Sequence, residues 1–274
     1  MFEVSAEVIY NQRIKKGYFE ISLSAPEIAK TALPGQFVNI KVSEGIEPLL
    51  RRPLSIHKTK EKKQIVMLYE VLGKGTQKLS REKAGEYLDV IGPLGNGFRT
   101  TNREAQTTIL VAGGMGTAPL VFLAEKLREV KSQKSKVKTL VLIGAKTKDS
   151  ILCEKEFKEL GCEVKIATDD GSRGFKGYVS ELLKQRLSTI DCRLSTIYAC
   201  GPKLLLKEIC RISIEHNIPA QLSLESHMAC GIGACMGCVI KVTRAPEHQS
   251  TRDFEYKRVC KEGPVFEANQ ILWE

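Results

Sequence analysis

Cys230, Cys235 and Cys238 stand in C-x4-C-x2-C spacing, and Cys260 follows after 21 intervening residues. Thiolates spaced this way suit a [2Fe–2S] cluster. Most residues between the first three ligands are small (Gly231, Gly233, Ala234, Gly237), so backbone N–H groups can turn towards negatively charged cluster sulfurs unobstructed. A zinc site would show two short Cys/His pairs, whereas here one short pair sits inside a triplet and the fourth ligand stands alone. A disulfide framework fits poorly, because 274 residues can bury an ample core and an odd count of nine cysteines cannot pair completely. Cys153, Cys162, Cys192, Cys200 and Cys210 lie among apolar residues and read mainly as inert thiols.

A second chemistry-bearing stretch is Gly113-Gly114-Met115-Gly116-Thr117-Ala118-Pro119, which follows the apolar run Ile109-Leu110-Val111-Ala112. Glycines at a strand-to-helix turn let a pyrophosphate reach the free N–H groups of the helix start, where Pro119 is well placed. The spacing is not G-x-G-x-x-G, so a plain tight turn stays open. Asp169 and Asp170, in Thr168-Asp169-Asp170-Gly171-Ser172, end a later strand at the expected ligand edge. Their carboxylates suit a ribose hydroxyl and would repel a 2′-phosphate, favouring NAD over NADP; a loop with helix-capping Asp residues is the other reading. Cys200-Gly201-Pro202 ends the next strand at that edge, where a thiol and bare backbone let a nicotinamide approach. Upstream, Arg51-Arg52-Pro53-Leu54-Ser55 joins two cations and a hydroxyl, and Gly73-Lys74-Gly75-Thr76 offers N–H groups at a helix start. Placed before a dinucleotide sheet and an iron–sulfur loop, these suggest a flavin.

The elements that hold these residues fall into three segments. Residues 1–100 carry strand patterns at 4–10, 18–23, 36–42, 64–72 and 87–91 between Gly and Pro turns, predicting a small antiparallel β-barrel. Residues 101–225 alternate strands at 108–112, 138–143, 163–168, 196–199 and 220–224 with helices at 119–130, 151–160, 179–187 and 202–216, predicting a doubly wound parallel sheet. Residues 226–274 form the cysteine module, and its 239–259 loop is the segment whose conformation the pattern leaves open.

The apolar fraction of 42% and charged fraction of 27% describe an ordinary soluble globular chain. No apolar run approaches the roughly 20 residues a bilayer requires, and the N-terminus lacks the pattern of a signal peptide, so a cytoplasmic protein is expected. The net charge of +10 is densest over residues 126–148, but no aromatic residues interleave there to stack on bases, which argues against nucleic acid. His57, His216, His227 and His248 read as structural or surface groups, His227 also standing next to the cluster loop. Trp273 either anchors an interface or folds back on its own core.

Arg52-Pro53-Leu54-Ser55, Gly75-Thr76, the 113–120 turn, Cys200-Gly201-Pro202 and the four spaced cysteines together resemble the ferredoxin-reductase-type flavoprotein superfamily over essentially the whole chain. Met228 to Cys238, with Arg258-Val259-Cys260-Lys261-Glu262-Gly263-Pro264-Val265-Phe266, resembles the electron-transfer subunits of type B dihydroorotate dehydrogenases. The resemblance implies FAD between barrel and sheet. Arg52 would face its pyrophosphate, Ser55 would bond near flavin N5, and Leu68, Tyr69 and Glu70 would contact the ribityl or ring region. Gly75 and Thr76 would donate to phosphate; Leu54 stands where many reductases stack a Tyr. It also implies a catalytic partner carrying FMN, as a heterotetramer of two plus two chains. Electrons would pass from dihydroorotate through FMN, cluster and FAD to NAD+ in pyrimidine biosynthesis, with no acid or base catalyst in this chain. The nearest alternative is an NAD(P)H-dependent flavin and iron–sulfur reductase serving a hydrogenase or other acceptor. A regulatory iron–sulfur sensor with a vestigial nucleotide domain is the non-enzyme alternative.

Overall fold

The structure, a computed structural model, describes residues 1–100, 106–131, 138–244 and 253–273. Pro246, His248 and Arg252 of the long loop, and part of the basic 126–148 stretch, lie outside the described residues.

Six strands close into an antiparallel barrel: β1 (Phe2–Lys15), β2 (Tyr18–Ser24), β3 (Phe37–Ile40), β4 (Arg52–Lys60), β5 (Gln64–Glu70) and β6 (Tyr87–Leu94), in the order β1-β2-β5-β4-β3-β6. Alternation decides what fills it. Val38 and Ile40 on β3, Ile65, Met67 and Tyr69 on β5, and Leu88 and Val90 on β6 form one buried interior. Two short helices, α1 (Pro26–Thr31) and α2 (Lys74–Leu79), close turns between strands.

The second body is a sheet of seven strands, ordered β10-β9-β8-β7-β11-β12-β15. These are β7 (Thr107–Gly113), β8 (Lys138–Ala145), β9 (Glu163–Thr168), β10 (Phe175–Lys176), β11 (Ser195–Cys200), β12 (Ala220–Ser223) and β15 (Val265–Glu267). Helices α3 (Thr117–Lys131) and α4 (Glu154–Glu159) cover one face, and α5 (Val179–Leu187) and α6 (Lys203–Glu215) the other. Strand β7 is buried on both faces: Ile109 and Val111 pack towards α5 and α6, Leu110 and Ala112 towards α3. A continuous apolar run, not alternation, is what such a central parallel strand requires. The chain order reverses between β7 and β11, the switch point where sheets of this type bind ligands.

The C-terminal segment is stitched into this sheet. A hairpin of β13 (Val239–Thr243) and β14 (Phe254–Arg258) follows the cysteine triplet, and β15 then pairs antiparallel with β12 through Leu222 and Phe266. The sequence pattern placed 226–274 in a module of its own and missed β15, whose three residues are too few to show an alternation. Val259 and Phe266 share the core of the α5/α6 face. Trp273 packs on that core too, so of its two readings the fold-back is the one observed.

Candidate functional site

Four pieces meet along the seam between barrel and sheet. The first is the glycine turn after β7, a 3-10 turn over Gly114–Gly116 that leads into α3. A Cβ on Gly116 would collide with the Cys200 carbonyl and lie 2.7 Å from Gly201 N. A Cβ on Gly113 would meet Pro202 at 2.9 Å and Leu205 at 2.7 Å. The turns after β7 and β11 therefore pack backbone against backbone, and only glycine allows it. Gly114, at φ +53, differs: nothing lies within 4 Å of its added Cβ, so its outer face is open. Thr117 is fully buried and donates to the Gly114 carbonyl at 2.9 Å, locking the turn.

At the same edge, burial pushes the Cys200 thiol up to about 12, with nearby Glu225 adding to the rise, so it is neutral at pH 7. Crowding by the surrounding protein also raises the Glu225 carboxyl, although its side chain stays open to solvent on one side. Asp170 accepts from the Ser172 N–H (2.9 Å) and hydroxyl (2.6 Å), which hold it below the usual carboxylate range. It thus serves its own turn and caps no helix, since β10 follows, while exposed Asp169 remains the carboxylate available beside it.

The second piece is the start of β4. Arg52, Pro53, Leu54 and Ser55 pair with Ile40, Asn39, Val38 and Phe37 of β3. The Arg52 guanidinium lies across Gly75 of α2; a Cβ there would reach within 2.6 Å of Arg52 Cζ. The Thr76 hydroxyl donates to the Gly73 carbonyl at 3.2 Å and accepts from the Leu72 N–H at 3.0 Å, fixing the start of α2. This cradle of one cation over bare backbone fits a pyrophosphate. Strand β5 lies against the Gly114–Gly116 turn. Its Leu68 is buried outside the barrel interior, whereas the Tyr69 ring stacks on Phe19 at 5.6 Å inside the barrel and its hydroxyl donates to Asn11 at 2.8 Å. The Tyr69 side chain is thus committed to the barrel.

The third piece is the cysteine loop. Ala234 N–H and Cys235 N–H donate to Cys230 Sγ at 3.3 and 3.4 Å, and Cys260 N–H donates to Cys238 Sγ at 3.4 Å. Burial alone would raise the Cys230 thiol, but these N–H groups, with that of Ile232, outweigh it and bring it down to about 6. Burial and neighbouring Cys238 push Cys260 up to about 12. All four cysteines are free thiols, with Cys235 exposed, Cys230 half-buried, and Cys238 and Cys260 buried. Sulfurs met by N–H donors in a glycine-rich loop fit an anionic cluster. The loop is braced by Arg258, which donates to the Gly233 carbonyl at 2.6 Å and pairs with Glu262. It also touches the barrel, where Asn39 Nδ2 donates to the Cys230 carbonyl at 3.2 Å.

The fourth piece is a polar clasp. Fully buried His57 on β4 has Nδ1 3.0 Å from the Ala118 carbonyl of α3 and Nε2 2.9 Å from Glu156 Oε2 of α4. Lys58 lies 3.4 Å from the same oxygen. Burial works to raise Glu156, but His57 and Lys58 outweigh it and hold the carboxyl below its ordinary range. Cys153 sits beside them, its thiol pushed up to about 12 by burial. With each charged group already paired, this cluster reads as an ion-paired joint between barrel and sheet.

Sequence reading singled out the cysteines, both glycine turns and the Arg52 stretch, and the structure brings these to one seam. It missed Asn39, the Arg258–Glu262 brace, Glu225 and the His57 clasp. Asn39 left a signal, an amide inside the apolar run Phe37-Val38-Asn39-Ile40; the others depend on contacts remote in sequence.

A closed barrel joined to a doubly wound sheet, with glycine turns at the switch point and a four-cysteine loop on the seam, defines an oxidoreductase of the ferredoxin-reductase type with an added iron–sulfur module. Comparison with known proteins agrees. Residues 225–272 match the iron-sulfur cluster binding domain of dihydroorotate dehydrogenase B, and residues 110–211 match the oxidoreductase NAD-binding domain. The dihydroorotate dehydrogenase B (NAD(+)) electron transfer subunit of Desulforamulus reducens is 41% identical over 271 residues, covering 98% of each chain. That of Bacillus cereus is 39% identical over 275 residues, covering 99% of this chain and all of the relative. Among solved structures, an NADH-dependent reduced ferredoxin-NADP oxidoreductase, studied for flavin-based electron bifurcation, superposes with a TM-score of 0.83. It is 30% identical and covers 98% of this chain and 90% of its own. A ferredoxin NADP+ reductase from Neisseria gonorrhoeae with bound FAD and NADP shares the fold at a TM-score of 0.65 and 13% identity, over 78% of this chain and 91% of its own. The chain belongs to the family of dihydroorotate dehydrogenase B electron transfer subunits. Among the described residues, no helix is long and apolar enough to cross a membrane.

Proposed function

We propose that this chain carries electrons released from dihydroorotate in a catalytic partner subunit containing FMN, through a [2Fe–2S] cluster and FAD, to NAD+, in cytoplasmic pyrimidine biosynthesis and as a heterotetramer of two plus two chains. The observation that carries the reading is the convergence on one seam of the cysteine loop, the Arg52–Gly75 cradle and the glycine turn of the dinucleotide sheet. When bound, FAD supplies the exchange between hydride chemistry at a nicotinamide and one-electron chemistry at a cluster. Arg52 would neutralise its pyrophosphate, Gly75 and Thr76 would offer N–H groups to phosphate, and Ser55 would donate near the flavin N5. Leu54 and Leu68 would line the ring region, with Pro53, Tyr69 and Glu70 contributing backbone or edge contacts. Gly113, Gly114, Gly116, Thr117 and Pro119 would receive the dinucleotide, and Asp169 the ribose, favouring NAD. Cys200, Gly201 and Pro202 would bound the nicotinamide, where a neutral thiol neither attacks nor adds charge.

Cys230, Cys235, Cys238 and Cys260 would hold the cluster. The N–H groups of Cys235 and Cys260 would meet the sulfurs of Cys230 and Cys238 and favour their thiolate forms as ligands. Cys230 and Cys235 are the more exposed ligands, so their side of the loop would be the one open to the partner. Residues 1–100, 101–225 and 226–274 would serve FAD, NAD and the cluster in turn. The test is to co-express the chain with an FMN-containing dihydroorotate dehydrogenase subunit, purify the complex, and follow NAD+ reduction by dihydroorotate. Activity that requires this chain supports the proposal. A chain that oxidises NADH alone, but gives no dihydroorotate-linked NAD+ reduction with the partner, instead supports a reductase for a hydrogenase or another acceptor.

A further inference from the structure

Asn39 is a buried amide in an otherwise apolar strand. It is 1% exposed, in a strand whose other residues are the buried apolar Phe37, Val38 and Ile40. Val38 and Ile40 fill the barrel, while Phe37 joins the core beneath the sheet and the cysteine loop. Side chains alternate along a strand, so Asn39 shares the outward side with Phe37. Its Nδ2 donates to the Cys230 carbonyl at 3.2 Å, while its Oδ1 is enclosed with no donor. Burying an unpaired amide oxygen is unfavourable, and a leucine of similar volume would avoid that cost. A polar group kept at such a cost within an apolar strand calls for a role beyond packing.

Two neighbours indicate that role. Across the barrel ladder, Asn39 stands opposite Pro53, inside the Arg52–Ser55 stretch. On its other side Gly231, at φ +69, brings the loop so close that an added Cβ would strike the amide and lie 3.1 Å from Asn39 Cγ. The loop is thus shaped to seat on this one side chain. Holding the Cys230 carbonyl fixes the Cys230–Gly231 peptide, and with it the path that brings Ala234 N–H and Cys235 N–H to Cys230 Sγ.

We propose that Asn39 is the positioning residue that seats the cysteine loop on β3, beside the Arg52–Ser55 stretch assigned to flavin, and, through the Cys230 carbonyl, holds the N–H donors on the cysteine sulfur so as to set the cluster's reduction potential. The inference rests on the cluster and flavin reading given above. N–H groups aimed at sulfur favour the more negative, reduced cluster, so weakening their alignment lowers the potential. Asn39→Leu removes the donor and fills the space. Asn39→Asp keeps the volume but sets a carboxylate against the Cys230 carbonyl and beside an anionic cluster.

The experiment is a redox titration of the full chain holding cluster and FAD, followed by the electron paramagnetic resonance of the reduced cluster. Iron and FAD content and thermal melting are measured alongside. Expected for Asn39→Leu are unchanged iron and FAD, unchanged or higher melting temperature, altered resonance, and a tenfold lower reduced-to-oxidised ratio at the wild-type midpoint, equivalent to about 59 mV for one electron. Asn39→Asp shifts further in the same direction. A ratio within about twofold of wild type with an identical resonance in both variants overturns the proposal. Loss of iron from both variants with FAD retained also overturns it, reducing Asn39 to a loop attachment. A wild-type chain with no cluster resonance would instead sink the underlying cofactor reading.

Discussion

Gly114 and Gly116 stand two residues apart in one turn, yet alanine at each is expected to fail for opposite reasons. At Gly116 the obstacle is internal. The added Cβ strikes the Cys200 carbonyl and comes to 2.7 Å from Gly201 N, both backbone atoms of a turn that cannot swing aside. The strands beneath are held in register through Ala112 and Cys200, so the two turns must part by roughly 1 Å, at a cost of about 1–3 kcal/mol. Displacement of that size at a binding turn typically lowers turnover about a hundredfold. At Gly114 the protein offers no obstacle, since nothing lies within 4 Å, and the fold bears only the φ of +53, about 1–2 kcal/mol for an L-residue. Any larger functional loss must come from what approaches that open face. Rapid-mixing measurement of flavin reduction by NADH, beside chemical reduction by dithionite, separates the two. Gly114→Ala is expected to keep FAD, cluster spectrum and dithionite reduction while the NADH concentration for half-maximal rate rises at least about tenfold, on the order of 1.4 kcal/mol of lost binding. Gly116→Ala is expected to lose both binding and melting temperature. A Gly114→Ala chain that saturates with NADH as the wild type does would refute the assignment of this turn to the dinucleotide.

Cys235→Ser should remove the cluster signal and abolish dihydroorotate-linked NAD+ reduction in the reconstituted complex, while NADH oxidation by an artificial acceptor survives; full partner-linked activity in that variant would rule out the route through the cluster. Arg52→Ala, which withdraws the cation lying across Gly75, should weaken FAD retention by about 1.5–3 kcal/mol, read as flavin lost on gel filtration, with the melting of the FAD-free chain little changed. Glu156→Gln tests the clasp between barrel and sheet. Its folded carboxyl titrates below the ordinary value, so its contribution is complete above about pH 4.5 and is lost as pH falls through the folded value. The variant should melt lower at pH 7 by about 1–2 kcal/mol of stability and approach wild type under acid conditions, and an equal deficit at both pH values would discount the ion pair.

How much of this was legible beforehand follows from how far each interaction reaches along the chain. Local signals served well: the apolar runs of β7 and β11 announced central parallel strands, and the glycines after them announced turns without side chains. The reason for one of those glycines was nevertheless out of reach. Gly116 must lack a Cβ because of the Cys200 carbonyl, 84 residues away in sequence and adjacent only once β7 and β11 pair. His57 shows the same limit, since a lone histidine on a strand gives no sign that Ala118 and Glu156 will enclose it. Strand β15 escaped because three residues are too few to show a period, and pairing with β12 alone makes them a strand. Asn39 is the instructive case. Its amide broke the apolar pattern of β3, and a departure from local consistency is where function is to be sought. Only the fold could show that the break faces Cys230 and not solvent, and thereby join β3, the partner of the Arg52–Ser55 stretch, to the cysteine loop in one hydrogen bond.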